Sequence, residues 1–319
     1  MSPRARRSLA ATMILAAALG RPATAADFPT KALQIIVPFS SGNLIDLLAR
    51  GFAEALGRAI NGPILVVNRE GAAGIIAMTA VATAHPDGYI LGFAPQGQIT
   101  IQPHIKPDLP YRADSFTPIC QTFENQFALV VGPNSPATDF RGFLALAKAA
   151  PGKLTWGDSG VATVPNLQMY SLLQSAGIEM AYTPYRAYGD LLRDVTSGRL
   201  DAAAPSIGSF SADAVRVLAI LADQRHPQFA EVPTVAEFGY AVSMPGFGGL
   251  YAPAGVPAPV LAILEKGCAA AAADGSYKAT AAHTGALARY LDHDAFVRRL
   301  QDDSRAKAAL IQSLQLKLD

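Results

Sequence analysis

Short apolar runs alternate along the chain with segments in which apolar residues recur every third or fourth position. The run LQIIVPF at 33–39 is rich in β-branched residues and ends in SSGN at 40–43, which is typical of a strand that enters a loop. Apolar residues then follow at helical spacing: Leu44, Leu47, Leu48, Phe52 and Leu56. The alternation continues with strands predicted at 64–67 and 89–94 and a helix that ends near 84. This part of the chain therefore predicts an α/β unit with a mainly parallel sheet flanked by helices.

A second alternation of strands and helices begins at residue 127. Helices are predicted at 138–149 and after Pro165, and strands at 127–131, 153–156, 182–185, 199–204 and 216–221. After the Gly- and Pro-rich run 244–259 the pattern predicts only helices, at 258–273 and 294–316. We expect these helices to pack on the first unit. Residues 27–126 plus 248–319 then form lobe 1, residues 127–247 form lobe 2, and two chain crossings join the lobes around a cleft.

The first 26 residues have the layout of a secretory signal peptide. A basic start is followed by the apolar run 9–19 and then by small residues. This run is shorter than the roughly 20 residues that a membrane-spanning helix needs, so we predict export with cleavage near Ala25 or Ala26. Arg6 and Arg7 also fit a twin-arginine signal, so the general secretory route and the twin-arginine route both stay open.

Composition and charge exclude several classes of protein. Half of the 319 residues are apolar and 16% are charged, which is typical of a compact soluble protein and not of a disordered one. The 26 basic and 25 acidic residues offer no electrostatic surface for nucleic acid. Removal of the first 26 residues takes away four arginines and leaves 22 basic against 25 acidic residues. We therefore expect no nucleic-acid partner.

The two cysteines, Cys120 and Cys268, have no CxxC or Cys/His spacing that indicates a zinc site. Export to an oxidising compartment makes a disulfide between them an alternative. Nothing in the spacing pairs them, and a free cysteine packs well as a small apolar residue. We therefore expect two separately buried thiols, and we predict neither a metal nor a cofactor.

Common enzyme signatures are absent from the chain. It contains no GxSxG elbow, no Walker A loop and no HExxH motif. The five histidines show no paired spacing, and neither thiol has a histidine partner that the sequence reveals. We therefore predict a binding protein and not an enzyme, with an exported enzyme as the less favoured alternative.

Two segments combine a strand, a loop of small polar residues and the start of a helix: 39–44 and 156–165. The first amides of a helix are unpaired and carry partial positive charge, so such loops suit a carboxylate or phosphate. Ordinary capped connections are the alternative; Thr163 would then cap a helix in which Pro165 occupies the first turn. Asp46 either complements the helix start or receives a ligand ammonium group. Arg186 would pair with a ligand carboxylate or with a neighbouring acid.

At these loops the sequence resembles the tripartite tricarboxylate transporter receptor (TctC) family, also called the Bug family of extracytoplasmic solute-binding proteins. The matching motifs follow one another along nearly the whole mature chain, at 35–50, 67–74, 85–89, 109–119, 157–163, 184–186, 198–201, 232–237 and 250–255. The resemblance implies a type II, Venus-flytrap periplasmic binding protein. It implies a monomer that closes on a small carboxylated metabolite and presents it to membrane subunits of a tripartite tricarboxylate-type transporter. An orphan sensor of the same fold, which would deliver its ligand to a signalling partner, is the alternative.

The resemblance also implies which residues bind the ligand. First-lobe contacts fall at Phe39, Ser41, Gly42, Asn43 and Asp46, and second-lobe contacts at Ser159, Gly160, Ala162 and Thr163. Weaker candidates follow strands, at Gln96, Gly97, Gln98 and Ser206. The chain departs from the family pattern at Ser40, Ser41, Asn43, Ala162, Thr163, Asn166 and Ala187, where prolines, glycines, a serine and a histidine are usual. These departures predict a more polar and narrower pocket and leave the ligand's identity open.

Overall fold

The computed structural model describes residues 28–185, 187–241 and 245–314. The predicted signal peptide and Arg186 lie outside the described residues. Eleven strands are described: β1 Leu33–Val37, β2 Ile64–Asn68, β3 Ile90–Pro95, β4 Phe116–Asn125, β5 Ala128–Val131, β6 Thr155–Asp158, β7 Ala181–Pro184, β8 Ala202–Ala203, β9 Arg216–Ile220, β10 Gly246–Pro253 and β11 Ala286–Leu291.

Ten α-helices are described in the same residues. They are α1 Leu44–Ile60, α2 Ile75–Ala82, α3 Gly97–Thr100, α4 Gln102–Ile105, α5 Phe140–Ala149, α6 Val164–Ala176, α7 Tyr188–Ser197, α8 Ala258–Ala273, α9 Gly275–His283 and α10 His293–Leu314. Short 3-10 turns connect several of these elements.

The strands form two sheets that are wound alike. The first has the order β11-β4-β10-β3-β1-β2, and the second has the order β7-β6-β8-β5-β9. In the first sheet β2, β1 and β3 are parallel, β10 runs antiparallel between β3 and β4, and β11 runs antiparallel at the edge beside β4. In the second sheet β7, β6 and β8 are parallel, and β5 runs antiparallel between β8 and the edge strand β9. The chain enters β5 after leaving the first sheet and enters β10 on its return. The predicted α/β fold is confirmed, but both sheets are mixed and not mainly parallel.

Each sheet is buried on both faces, which explains the dense apolar runs of its central strands. In β1, Leu33, Ile35 and Val37 pack with α1, α8 and α9, whereas Ile36 points to the opposite face, towards α2 and α10. The second sheet has the same arrangement, with α5 and α6 on one face and α7 on the other. Successive residues of β1 therefore point into two different hydrophobic cores, one on each face of the sheet.

Strands β4, β10 and β11 were not predicted, because their sequences lack a clear run or alternation of apolar residues. Strand β10 lies within the Gly- and Pro-rich run that we expected to end the second unit. A Cβ atom on Gly249 would lie 2.0 Å from the Cys120 carbonyl oxygen, and one on Gly248 would lie 2.4 Å from that of Ala94. The glycines therefore allow close approach of neighbouring strands at an irregular register.

Cys120 and Cys268 are joined in a disulfide, so the expectation of two free thiols was wrong. Cys120 lies on β4 and Cys268 on α8, and both point into the same core, with their Cα atoms 6.5 Å apart. The two cysteines are 148 residues apart in the sequence and meet only because α8 packs on the first sheet, so no local pattern predicts their contact.

The C-terminal helix α10 contacts both cores. Phe296 and Leu300 lie in a core of the first sheet, as expected for helices that pack on the first unit. Farther along the helix, Ile311 packs into a core of the second sheet, beside α6. The lobe boundaries at 126/127 and 247/248 stay a prediction, and the last turns of α10 contact the second core and not only the first.

Candidate functional site

The candidate binding residues collect at the carboxyl ends of parallel strands. Strands β1 and β3 are parallel neighbours, so the loop 39–43 and Gln96-Gly97 leave the first sheet at the same edge. Strands β6 and β8 place the loop 158–163 and Ser206 at one edge of the second sheet in the same way. Carboxyl ends of parallel strands are the usual ligand-binding edge of α/β sheets. No hydrogen bond or ion pair between described residues joins the two groups.

The first loop ends in a capped helix. The Asn43 side chain accepts a hydrogen bond from the Ile45 amide at 3.0 Å and caps α1. Gly42 has a φ of +82°, a conformation that favours glycine. Its amide donates to Asp46 Oδ2 at 2.8 Å. Phe39 is half-buried and packs against the core, while Ser41 is exposed.

Asp46 is buried and fully engaged within the first lobe. Its Oδ1 accepts from Asn68 Nδ2 at 2.8 Å, and its Oδ2 accepts from Arg50 Nε at 3.0 Å. Burial by itself would raise the pKa of Asp46, but hydrogen bonds from Arg50, Gly42 and Asn68 and the charge of Arg50 outweigh it and hold the pKa below its usual value. Of the two roles considered for Asp46, this geometry supports the structural one.

Gln96 brings an unpaired donor to the same edge. Its side chain is buried, and its Oε1 accepts from the Phe247 amide at 3.0 Å. Among the described residues its Nε2 atom has no hydrogen-bond partner. Gly97 begins α3, and the side chain of Gln98 reaches the Ala73 carbonyl at 3.3 Å. A buried amide donor without a partner is costly, and a partner at this edge would offset that cost.

The second loop is held by its own donors. Gly160 and Ala162 have φ values of +122° and +55°, which folds the loop back on itself. The Ala162 amide donates to Asn166 Oδ1 at 3.0 Å, and the Thr163 hydroxyl donates to the Gly160 carbonyl at 2.8 Å. Thr163 is the N-cap residue of α6, as predicted, but its side chain makes no capping hydrogen bond to the helix. Pro165 lies in the first turn, as expected.

Asp158, which the sequence reasoning missed, anchors this loop. The side chain is buried at the end of β6. Its Oδ1 accepts from Tyr182 Oη at 2.7 Å and from the Gly160 amide at 2.8 Å, and its Oδ2 accepts from Asn166 Nδ2 at 3.0 Å. Burial raises the pKa of Asp158 to about 6, although these three donors act in the opposite direction. In the sequence, the position of Asp158 at the end of a strand and immediately before Ser159 was the feature that could have identified it as a site residue.

Tyr188 is a second residue that the sequence reasoning missed. Its hydroxyl interacts with the Ser159 side chain and with the main chain of Ser206, two of the predicted site residues. Burial and the charge of Asp158 raise the pKa of Tyr188 to about 12, so the phenol stays protonated. Ser206 itself is buried and donates through Oγ to Asn125 Oδ1 at 2.8 Å, at the end of β4. Tyr188 therefore belongs to the second-lobe group.

One larger groove lies away from the candidate residues in the part of the chain that the structure describes. A groove of about 830 Å³ lies beside β4, β11 and residues 223–228 and is lined by none of the predicted site residues. No cluster of three or more His, Cys, Asp or Glu side chains with the geometry of a metal site occurs within 28–185, 187–241 and 245–314. Within the same ranges no helix is long and apolar enough to span a bilayer.

The sequence matches the model of a known family, the tripartite tricarboxylate transporter family receptor, over residues 48–316. The chain belongs to this family. Its relatives include the UPF0065 protein of the tcbD–tcbE intergenic region of Pseudomonas sp. strain P51, which is 32% identical over 244 residues, 73% of this chain and 71% of the relative. The family resemblance stated from the motifs is thus confirmed, and the chain is a solute-binding receptor of the TctC type.

Solved structures of similar proteins share the fold of this TctC receptor. A periplasmic transporter protein superposes with a TM-score of 0.81 at 29% identity over 92% of this chain and the whole of that chain. MatC of Rhodopseudomonas palustris with bound malate superposes with a TM-score of 0.75 at 25% identity, over 89% of this chain and the whole of MatC. The two-lobed periplasmic-binding-protein fold predicted from the sequence is therefore confirmed.

Proposed function

We propose that this TctC receptor captures a small carboxylated metabolite in the periplasm and delivers it to membrane subunits of a tripartite tricarboxylate-type transporter. The observation that carries the proposal is the matched pair of polar loops, 39–43 and 158–163, each at the carboxyl end of parallel strands and each tied down by a buried aspartate. The malate bound to MatC supports a carboxylate ligand. No covalent step is part of this proposal.

Binding by lobe closure follows from the division of the candidate residues between two sheets. With lobe 1 at 27–126 plus 248–319 and lobe 2 at 127–247, a ligand touches both groups only when the lobes close. A ligand stabilises the state in which it makes more contacts, so closure is coupled to binding.

The groups best placed to donate to a ligand carboxylate differ from those first expected. The amides of Gly42, Gly160 and Ala162 already donate within their own loops. The Ser41 hydroxyl is exposed and donates to Asp46 Oδ2 at the long distance of 3.4 Å, and the Ser159 hydroxyl contacts Tyr188. We expect these two hydroxyls, together with the Gln96 Nε2 that has no partner among the described residues, to contact the ligand.

Export and cleavage near Ala25 or Ala26 complete the proposal. Mass spectrometry of the protein recovered from the periplasm tests it directly: the mature chain should begin at or near Asp27. Recovery of the full chain from the cytoplasm would contradict periplasmic function.

A thermal-shift screen tests the binding function. The mature protein, unfolded and refolded to remove carried-over ligand, is heated with mono-, di- and tricarboxylates. A ligand at about 100 times its Kd should add about 2.7 kcal/mol to the free energy of unfolding, a shift of several degrees in Tm.

Two variants and one control then test which residues bind the ligand. Ser41→Ala and Ser159→Ala should each weaken binding by about 0.5 to 3 kcal/mol, the range for hydrogen bonds to neutral and charged partners. Ser175→Ala, on the exposed surface of α6, should bind like the wild type. No response to any carboxylate would reject the proposed ligand class, and unchanged binding in both site variants would reject the placement.

A further inference from the structure

The two buried aspartates that anchor the binding loops differ in one respect: within the described part of the chain, only Asp46 has a counter-charge. Asp46 is bound by the guanidinium of Arg50, with both Nε and Nη2 within 3.0 Å of its oxygens. Asp158 makes no ion pair with a basic side chain of the described residues. A buried carboxylate without a counter-charge keeps its full electrostatic effect on its surroundings, because little solvent screens it.

Among the described residues, the groups that face Asp158 are neutral. Asn166 and Tyr170 face it from α6, Tyr182 from β7 and Tyr188 from α7. The Gly160 amide completes the set from the loop itself. Burial raises the pKa of all three phenols, so none of them adds a charge near neutral pH. Among the described residues that surround the second loop here, Asp158 is thus the one that carries a charge.

Three hydrogen-bond donors of the second loop are also occupied. The amides of Gly160 and Ala162 and the hydroxyl of Thr163 all donate within the loop. An ionised ligand carboxylate placed here would find these three donors engaged and would meet a nearby negative charge. A hydroxyl or a carboxamide carries its own donor and no charge, and it fits this environment better.

We propose that Asp158 is a specificity-determining residue of this receptor, and that the second loop accepts a hydrogen-bond donor such as a hydroxyl or carboxamide in preference to a second ionised carboxylate. The inference rests on the proposed function, because it assumes that the loop binds the far end of a carboxylated ligand. Asp158 is buried and acts through its charge and the loop that it holds, not by touching the ligand. The favoured ligand is a monocarboxylate with a polar, uncharged far end.

A dicarboxylate can still bind if Asp158 takes up a proton as the ligand arrives. That proton becomes harder to obtain as the pH rises above about 6, where Asp158 titrates in the free protein. The Kd of a dicarboxylate should then rise by up to about tenfold for each pH unit above this value. The Kd of the matching monoamide should stay nearly constant, because its far end is neutral.

Isothermal titration calorimetry with matched ligand pairs tests the proposal on the mature wild-type protein. Each dicarboxylate from malonate to adipate is compared with its monoamide between about pH 6.5 and about pH 8.5, where the ligand carboxyls are ionised. The monoamide should bind more tightly at the upper pH, and the difference should shrink towards the lower one. Titrations in two buffers of different ionisation enthalpy should show proton uptake with the dicarboxylate and none with the monoamide.

Asp158→Asn removes the charge, and it should abolish both the pH dependence and the preference for the monoamide. Asp201→Asn is the matched control, because Asp201 binds Thr155 at the opposite end of β6. It should behave like the wild type. If Asp158→Asn fails to fold, the proton uptake of the wild type decides the question alone.

The possible outcomes separate this inference from the proposed function. A dicarboxylate that binds the wild type with a constant Kd and no proton uptake would overturn the role of Asp158 and leave carboxylate binding intact. The same pH dependence in Asp158→Asn would overturn it as well. Failure of every acid and amide to bind would overturn the proposed function, and this inference with it.

Discussion

Arg50 lies one helical turn after Asp46 on α1 and binds both oxygens of its carboxylate, Nε to Oδ2 and Nη2 to Oδ1, each at 3.0 Å. The same carboxylate holds the Gly42 amide, so the ion pair fixes the loop that precedes α1. The carboxylate of Asp158 holds Gly160 in the second lobe, and its partners among the described residues are hydroxyl and amide donors. Similar loops are thus stabilised in electrostatically different ways.

Replacement of Arg50 by methionine should lower the free energy of unfolding by about 1 to 3 kcal/mol, because it leaves the buried Asp46 without its charged partner. Arg58 on the same helix is the control. It pairs with Asp274 at the surface, where such pairs contribute about 0 to 1 kcal/mol, so Arg58→Met should be nearly neutral. Urea denaturation of both variants checks this. Equal losses would show that Arg50 has no special role in the loop.

The stability of Asp158→Asn relative to the wild type should depend on pH. The folded-state pKa of Asp158, about 6, lies above its usual value, so the native protein holds the proton more tightly than the unfolded chain does. The resulting stabilisation is complete below the unfolded-state pKa and is lost as the pH rises through about 6. The full change is about 2 to 3 kcal/mol for a raise of this size.

Denaturation curves of both proteins between about pH 4 and about pH 8 measure this difference. Asparagine does not titrate, so the variant should gain stability relative to the wild type over that interval. A constant difference would show that the Asp158 carboxyl titrates alike in the folded and unfolded states.

The sequence predicted the two strand–loop–helix units that carry the candidate residues because such units are specified locally. The β1 loop, its Asn43 cap and the first-turn Asp46 all depend on neighbours within a few residues. Asp158 and Tyr188 were missed because their environments are assembled from β6, β7, α6, α7 and the turn at Ser206, which no local pattern reveals. The disulfide was not predicted for the same reason, because Cys120 and Cys268 meet only through the packing of α8 on the first sheet.

Reduction of the Cys120–Cys268 disulfide should lower the free energy of unfolding by about 2 to 5 kcal/mol, because the bond closes a loop of 148 residues in the unfolded chain. Both side chains are buried, so reduction requires partial unfolding or denaturant before refolding. Urea denaturation with and without reductant, on samples whose free thiols have been counted, provides the measurement. Equal stability of the oxidised and fully reduced proteins would contradict a structural role for the bond.

Gly208 forms the closest contact between the turn that follows Ser206 and the turn that precedes β11. A Cβ atom on Gly208 would lie 1.8 Å from the Thr284 carbonyl oxygen, and one on Gly285 would lie 2.5 Å from the Gly208 Cα atom. The two turns belong to different sheets, and backbone meets backbone with no side chain that can move aside. Gly208→Ala therefore cannot be accommodated without displacing one turn from the other.

We expect Gly208→Ala to lower the free energy of unfolding by about 1 to 3 kcal/mol, the usual cost of forcing an extra carbon into a packed contact. Gly189→Ala is the control: it lies on α7, meets nothing within 4 Å and should be neutral or stabilising by up to about 1 kcal/mol. Urea denaturation distinguishes the two. Because the displaced turn begins at Ser206, Gly208→Ala should also weaken binding of any acid identified in the thermal-shift screen, and Gly189→Ala should not. If Gly208→Ala keeps the stability and the affinity of the wild type, the two turns can move apart without cost. The contact at Gly208 would then not hold the two sheets together.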